Sequence, residues 1–166
     1  LTEGRLTVDE VRLLRERDDV VHALGALAAA DASPNATMRA VADEFEEPIG
    51  WWKTENIPFS SARKWSAASF GDFGSWVIGA PEMILPNDRQ VAAAAGSAAA
   101  EGKRVLLLAH SPARLSGEVL PNGLIGIALV LLSDVVRADA AATLRYFAEQ
   151  GVAAKVISGD HPDTVA

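Results

Sequence analysis

Hydrophobic positions first recur at Leu6, Val8, Val11 and Leu13, an imperfect alternation that predicts a strand broken near Asp9. Thr7 and Glu10 stand at capping-box spacing, so a helix start is the competing expectation for the same segment. Val20–Ala30 is rich in Ala and Leu and predicts a helix, with Asp18 or Asp19 as its cap. Ser33-Pro34 reads as N-cap and first position of a second helix reaching about Glu46. Met38, Val41, Ala42 and Phe45 would form its apolar face, and Pro48 and Gly50 would end it.

The middle of the chain changes period. Ile57–Ser60 reads as extended. Arg63–Phe70 and Ser75–Ile78 read as two strands joined by Gly71-Asp72-Phe73-Gly74, a good hairpin turn. A short helix is expected at Pro81–Leu85, then an Ala-rich helix capped by Asn87, running to about Glu101 and stopped by Gly102. Arg104–Ala109 and Leu124–Leu132 are strongly apolar strands, separated by a loop holding Pro112, Gly117 and Pro121. After Ser133 the order becomes helix (about Arg137–Gln150), strand (Ala154–Ile157), Ser158-Gly159-Asp160 and a helix start at Pro162, as in a parallel α/β lobe. The pattern predicts an α+β fold, an antiparallel sheet flanked by helices, with a fragment of an α/β lobe beginning near Ser133.

Composition narrows the function. The 166 residues are 49% hydrophobic and 22% charged, which is globular, and the net charge of −7 offers nucleic acid or an anionic membrane no global attraction. An anionic ligand would need local basic side chains. There are no cysteines, so disulfides and thiolate metal sites are excluded. The apolar runs Val20–Ala30 and Leu124–Leu132 are too short to span a bilayer, so the chain by itself is expected to be soluble; it is also expected to be monomeric in isolation.

Generic nucleotide loops are absent. Gly96 and Gly102-Lys103 are spaced by five residues rather than four, and Arg104 follows where a phosphate loop needs Ser or Thr for magnesium. His22, His110 and His161 lack metal-ligand spacing, and no metal site is expected within the chain. Phe59-Ser60-Ser61-Ala62-Arg63-Lys64 is more suggestive: an aromatic ring beside two cations suits a base to stack and phosphates to neutralise, although a core Phe with two solvated cations is the plainer alternative. Gly79-Ala80-Pro81-Glu82 would close a strand and open a helix while letting backbone approach a ligand. Asp160 follows an apolar strand, where ligands sit in α/β lobes.

In this order, these elements resemble the P-type ATPases. Leu1-Thr2-Glu3-Gly4 looks like the tail of the family's phosphorylated Asp-Lys-Thr-Gly-Thr-Leu-Thr segment. Phe59-Ser60-Ser61-Ala62-Arg63-Lys64 resembles Phe-Ser-Ser-x-Arg-Lys, whose Phe stacks on adenine, and Val77-Ile78-Gly79-Ala80-Pro81-Glu82 resembles Lys-Gly-Ala-Pro-Glu. Gly102–Leu106 resembles the strand whose Arg contacts ATP phosphates, Asp134-Val135-Val136-Arg137 the Asp-Pro-Pro-Arg hinge, and Ser158–Thr164 the Thr-Gly-Asp-Asn-Pro-x-Thr element. Ile78 stands where the family usually has a Lys, and Pro34 or Asn35 where many relatives carry a nucleotide-contacting Glu. The Phe-Arg-Lys and Gly-Ala-Pro-Glu elements point to the branch pumping calcium, sodium–potassium, protons or magnesium, in its bacterial members.

The resemblance implies residues 1–4 as the tail of the phosphorylation segment, 5–132 as a nucleotide-binding domain and 133–166 as part of the phosphorylation domain. It implies ATP and magnesium as cofactors, with Phe59, Ser60, Arg63, Lys64, Ile78, Gly79, Ala80 and Arg104 at the nucleotide. It places Asp160 near phosphate and magnesium after closure, with Asp134 and Arg137 at the hinge. It further implies a membrane-bound pump whose phosphorylation, actuator and transmembrane domains lie on the same polypeptide, this part facing the cytoplasm. The phosphorylated Asp is absent from the chain. The competing expectation is a binding or regulatory module that kept the shape and lost ATP. A phosphatase of the related α/β family would need an Asp-x-Asp nucleophile that Asp18-Asp19 and Asp163 do not supply.

Overall fold

The computed structural model describes residues 2–136 and, beyond them, Ala142, Arg145, Tyr146, Glu149 and Gln150. In chain order the elements are β1 (Thr2–Leu13), α1 (Val20–Ala30), α2 (Ala36–Glu44), β2 (Lys53–Ile57), β3 (Trp65–Phe70), β4 (Ser75–Gly79), α3 (Pro81–Ile84), α4 (Arg89–Ala100), β5 (Arg104–Ser111) and β6 (Ile125–Val136). The strands form one sheet in the order β1-β6-β5-β4-β3-β2, and every neighbouring pair is antiparallel. The expected α+β architecture is what the chain adopts. The α/β lobe fragment, Arg137 and Asp160 fall outside the described residues.

Period-2 alternation on the inner strands sends side chains to two cores. Trp76, Ile78, Leu108, Val130 and Leu132 pack under α1 and α2, while Val77, Leu107, Ala109, Leu129 and Leu131 pack against α3 and α4. Burial on both faces explains why β3 and β4 are buried along their whole length. The hairpin turn between them is a single 3-10 turn at Gly71–Phe73, tied by Phe70 N–H to the Gly74 carbonyl at 2.9 Å.

Competition within the first segment resolves to strand, because β6 supplies a partner for it. The break expected near Asp9 is a register shift between Val8 and Glu10. There the Asp9 carboxylate accepts a hydrogen bond from Lys103 Nζ at 2.7 Å and another from the Ser133 hydroxyl. β6 continues past Ser133 as far as Val136, which lies opposite Thr2.

Helix caps depart from expectation by a residue or two. Asp19 precedes α1 but its side chain makes no capping bond, because Arg17 holds both carboxylate oxygens at 2.8 and 2.5 Å. Asn35, not Ser33, caps α2 by accepting from Met38 N–H at 3.0 Å. That helix ends at Glu44, and it buries Ala40 rather than Ala42. Asp88, not Asn87, caps α4, its Oδ1 reaching the Gln90 and Val91 amides at 3.0 Å. The extended segment expected at Ile57–Ser60 is not a strand: β2 lies upstream at Lys53–Ile57 and shares only Ile57 with it, because it is Lys53–Ile57 that pairs with β3. β3 starts at Trp65 rather than Arg63, because Lys64 has φ 57° and cannot continue a strand.

Hydrogen bonds from Lys103 and Ser133 hold the Asp9 carboxylate below its ordinary pKa. A lowered folded-state pKa gives stability that is present at neutral pH and lost as pH falls below about 4. Asp9→Asn should therefore lower the melting temperature at pH 7, with the gap to wild type closing as pH falls from about 5 towards 2. Melting curves across that range check it; a gap independent of pH would show that the charge is not what holds the bulge.

Candidate functional site

β2 stops at Pro58, and the chain then turns sharply before β3. Lys64 N–H donates to the Ser60 carbonyl at 2.7 Å, and the Ser60 hydroxyl accepts from Arg63 N–H at 3.2 Å. The turn puts Lys64 in the left-handed region, at a cost of about 1 kcal/mol for a residue with a Cβ. That cost is offset by what the conformation allows. Lys64 presents its carbonyl to Ala80 N–H at 2.9 Å, and Trp65 pairs with Gly79. A Cβ on Gly79 would lie 2.3 Å from the Lys64 carbonyl oxygen and 2.5 Å from Trp65 Cα, so only glycine admits this approach.

Around this contact lies a cavity of about 290 Å³. Asn35, Thr37 and Met38 at the start of α2 form one wall, and Phe59 and Lys64 another. Ile78, Gly79 and Ala80 line it from β4, and Arg104, Val105 and Leu106 from the head of β5. Phe59 is 42% exposed, a large ring held at the surface beside the cavity. Ile78 is only 2% exposed: it belongs to the core under α1 and α2 and also lines the cavity as an apolar surface. The volume lies at the lower end of the range usual for small-molecule sites, with the expected mixture of apolar surface and a few charged groups.

Both cations of the cavity have carboxylate neighbours. Lys64 Nζ is 3.9 Å from Glu82, and Arg104 Nη2 is 3.8 Å from Asp134. Glu82 lines the cavity from the first turn of α3, where Pro81 stands at the helix start. Arg104 lies opposite Leu132 on β6, so the cavity opens at the end of the sheet where β1 begins and β6 ends.

The structure thus gathers Phe59, Lys64, Ile78, Gly79, Ala80 and Arg104 around one cavity and leaves Ser60 and Arg63 out of its lining. The Arg63 guanidinium donates to Glu118 at 2.6 Å and to the Pro58 carbonyl at 2.8 Å, and it lies 5.4 Å from the Trp65 ring centre. Its work is to hold the segment that carries Phe59. Glu118 belongs to the loop after β5, which a relay of buried hydroxyls pins down. Ser69 bonds Ser75 at 2.7 Å, Ser75 donates to the Ala113 carbonyl at 2.6 Å, and Ser69 accepts from Leu115 N–H at 3.1 Å.

Thr37, Met38, Ser66 and Glu82 also line the cavity, beyond the site residues that the motifs imply. Glu82 has a local signal, since it closes the Gly79–Glu82 element; the others sit where only the packing of α2 on the sheet puts them. Among the described residues no group of three or more His, Asp or Glu side chains is placed to hold a metal ion.

No family model matches the chain. It is similar to a calcium-transporting ATPase of Mycobacterium tuberculosis, 46% identical over 168 residues that span 99% of this chain and 21% of that protein. A calcium-transporting ATPase of Mycolicibacterium smegmatis is 44% identical over 165 residues, covering 99% and 21%. A probable cation-transporting ATPase of Streptococcus pneumoniae is 34% identical over 171 residues, covering 100% and 22%. The chain therefore spans only about a fifth of the length of these relatives. In fold it is similar to the crystal structure of a zinc-transporting PIB-type ATPase, with a TM-score of 0.66 at 17% identity, covering 99% of this chain and 25% of that one.

Closeness at Gly79 sets a prediction. Gly79→Ala must push apart the backbones of β3 and β4, an overpacking cost of about 1–3 kcal/mol. At roughly 2–4 °C per kcal/mol for a chain of this size, the melting temperature should fall by about 2–12 °C. Thermal unfolding of the variant checks it; a wild-type midpoint would mean that the strands are not held this closely.

Proposed function

We propose that this chain, which belongs by homology to the cation-transporting P-type ATPases, is their ATP-binding domain, delivering the γ-phosphate to an aspartate of an adjoining domain to drive cation transport. The observation that carries the proposal is the convergence of Phe59, Lys64, the Ile78–Ala80 backbone and Arg104 on one cavity. Phe59 offers a ring face to the base, and Ile78 and Leu106 give it apolar surroundings. Lys64 and Arg104 neutralise the phosphates. Gly79 brings the backbone close, while Ala80 N–H is already committed to Lys64 and holds the wall rather than the ligand. Ser60 and Arg63 serve the nucleotide through the turn they hold.

Phosphoryl transfer of this kind needs positioning and charge neutralisation rather than a protein nucleophile within the binding domain. With Arg104 at the end of the sheet where β1 begins and β6 ends, the phosphates would point towards whatever domain those strands lead to. Asp134 and Arg137 would form the hinge there, and Asp160 would meet phosphate and magnesium on closure. Magnesium does not find a ready set of carboxylates among the described residues, so it would arrive on the ATP phosphates. The partners proposed are the phosphorylation, actuator and transmembrane domains of one membrane-bound polypeptide. No helix among the described residues is long and apolar enough to cross a membrane.

With Ile78 in place of a cation, the cavity holds ATP weakly, with a dissociation constant on the order of 1 mM. A module that kept this shape but lost ATP altogether is the reading that Ile78 and Asn35 would favour if no binding were found.

Titrations with ATP and adenosine separate these roles. Phe59→Ala removes a base–aromatic stack of about 1–3 kcal/mol and should weaken both ligands about 5- to 150-fold. Arg104→Gln should weaken ATP and spare adenosine, since charge-assisted bonds to phosphate contribute about 1.5–3 kcal/mol. Unchanged affinities for a folded Phe59→Ala protein would remove the base from this cavity. Ile78→Lys, whose long stem can carry an ammonium from the buried position into the cavity, should tighten ATP several-fold with adenosine nearly unchanged. No gain from the lysine would mean that position 78 serves only the core.

A further inference from the structure

Two consecutive cations, Lys103 just before β5 and Arg104 as its first residue, reach opposite faces of the sheet, as successive side chains do along extended backbone. Lys103 reaches the Asp9 carboxylate of β1 at 2.7 Å and the Ser133 hydroxyl of β6 at 3.0 Å. Arg104 lines the cavity, with Nη2 at 3.8 Å from the Asp134 carboxylate of β6. Ser133 and Asp134 are consecutive in turn, so the head of β5 grips β6 on both faces. β1 and β6 are neighbours, with Thr2 opposite Val136, so this grip acts where β1 and β6 lie side by side.

The two grips differ in kind. Lys103 makes hydrogen bonds of ordinary length, and its side chain and that of Asp9 are 34% and 29% exposed. Arg104 and Asp134 are 43% and 33% exposed, and their 3.8 Å separation is an ion pair beyond hydrogen-bond length. Such a pair is weak and open to exchange. A phosphate offers a guanidinium the same anionic oxygens as a carboxylate does, with more charge.

Resting on the ATP-binding reading, we infer that Asp134 is an internal competitor of the nucleotide phosphates for Arg104, linking occupation of the cavity to the grip on β6. In the empty cavity the carboxylate shares the guanidinium. Phosphates draw it away and leave Asp134 with less compensating charge on β6. The linkage is reciprocal, so whatever neutralises Asp134 also favours nucleotide. Adenosine, which has no phosphate, does not enter the competition.

The test is a set of ATP and adenosine titrations at one low salt concentration on the 166-residue chain. The proteins are wild type, Asp134→Asn, Glu101→Gln, Arg104→Gln and the double variant Arg104→Gln with Asp134→Asn. Asp134→Asn should tighten ATP about two- to five-fold, the range an exposed ion pair supports, and leave adenosine unchanged. Glu101→Gln removes the same formal charge from an exposed residue paired with Arg12, and should leave ATP binding unchanged. In the Arg104→Gln background, Asp134→Asn should have no effect on ATP. Unchanged or weakened ATP binding in Asp134→Asn would overturn the competition while leaving the ATP-binding reading intact. An equal gain from Glu101→Gln, or a gain that survives loss of Arg104, would overturn it too, by showing general repulsion rather than a shared guanidinium. Absence of ATP binding in the wild type and every variant would overturn both readings together.

Discussion

The contact between Gly79 and the backbone of Lys64 and Trp65 is the constraint on which the candidate site depends. It joins the end of β4 to the start of β3 at a distance no other residue would permit, and Ala80 N–H closes it with a hydrogen bond to the Lys64 carbonyl. Lys64 meets that geometry in a left-handed conformation, which ends the extended backbone and folds Ser60–Lys64 into a turn. Phe59 stands beside the cavity because that turn begins just after it. A strained residue, a glycine and an exposed aromatic ring are three aspects of one close approach.

Support for that turn comes from elsewhere in the chain. The buried hydroxyls of Ser69 and Ser75 anchor the loop after β5, the loop carries Glu118, and Glu118 with the Pro58 carbonyl engages the Arg63 guanidinium. Each of these serine hydroxyls would be costly to bury alone, and the relay satisfies them while fixing a loop that has no regular structure of its own. The rigidity of the Phe59 segment is thus drawn from the sheet core, not from the segment itself.

The charge balance of the cavity follows the same economy. The chain as a whole carries −7, and the two cations that line the cavity each stand near a carboxylate, Lys64 by Glu82 and Arg104 by Asp134. Cations arranged in this way are not left as uncompensated charges when no ligand is present. On the proposed ATP-binding function, a phosphate would enter by exchange of partners rather than by filling a bare positive site, which would keep affinity modest and make the neighbouring carboxylates part of the site's behaviour.

The sequence by itself determined the type and order of the elements from β3 to β6 and of α1 and α2, because helical periodicity and near-continuous apolar runs are local signals and these strands are buried on both faces. The choice of strand for the first segment and the placing of β2 at Lys53–Ile57 came from strand pairing. The sequence also carried the family elements, from which the resemblance implies a base-stacking ring and phosphate-facing cations, and even the break near Asp9 was legible as a lapse in alternation. Helix caps were less so: Asn35 and Asp88 won over Ser33 and Asn87 because their side-chain oxygens reach the first free amides, a matter of one residue that composition does not decide. What only the tertiary structure decided is which of several adjacent candidates face the cavity. Phe59 and Lys64 line it while Ser60 and Arg63 do not, and Ile78 serves core and cavity at once. Side-chain direction within a turn follows from a left-handed residue and from partners such as Glu118 and Gly79, which are distant in sequence, and no local periodicity records them. For the same reason the pairing of Arg104 with Asp134 belongs to the register of β5 on β6, where backbone hydrogen bonds between strands, not neighbouring residues, set who meets whom.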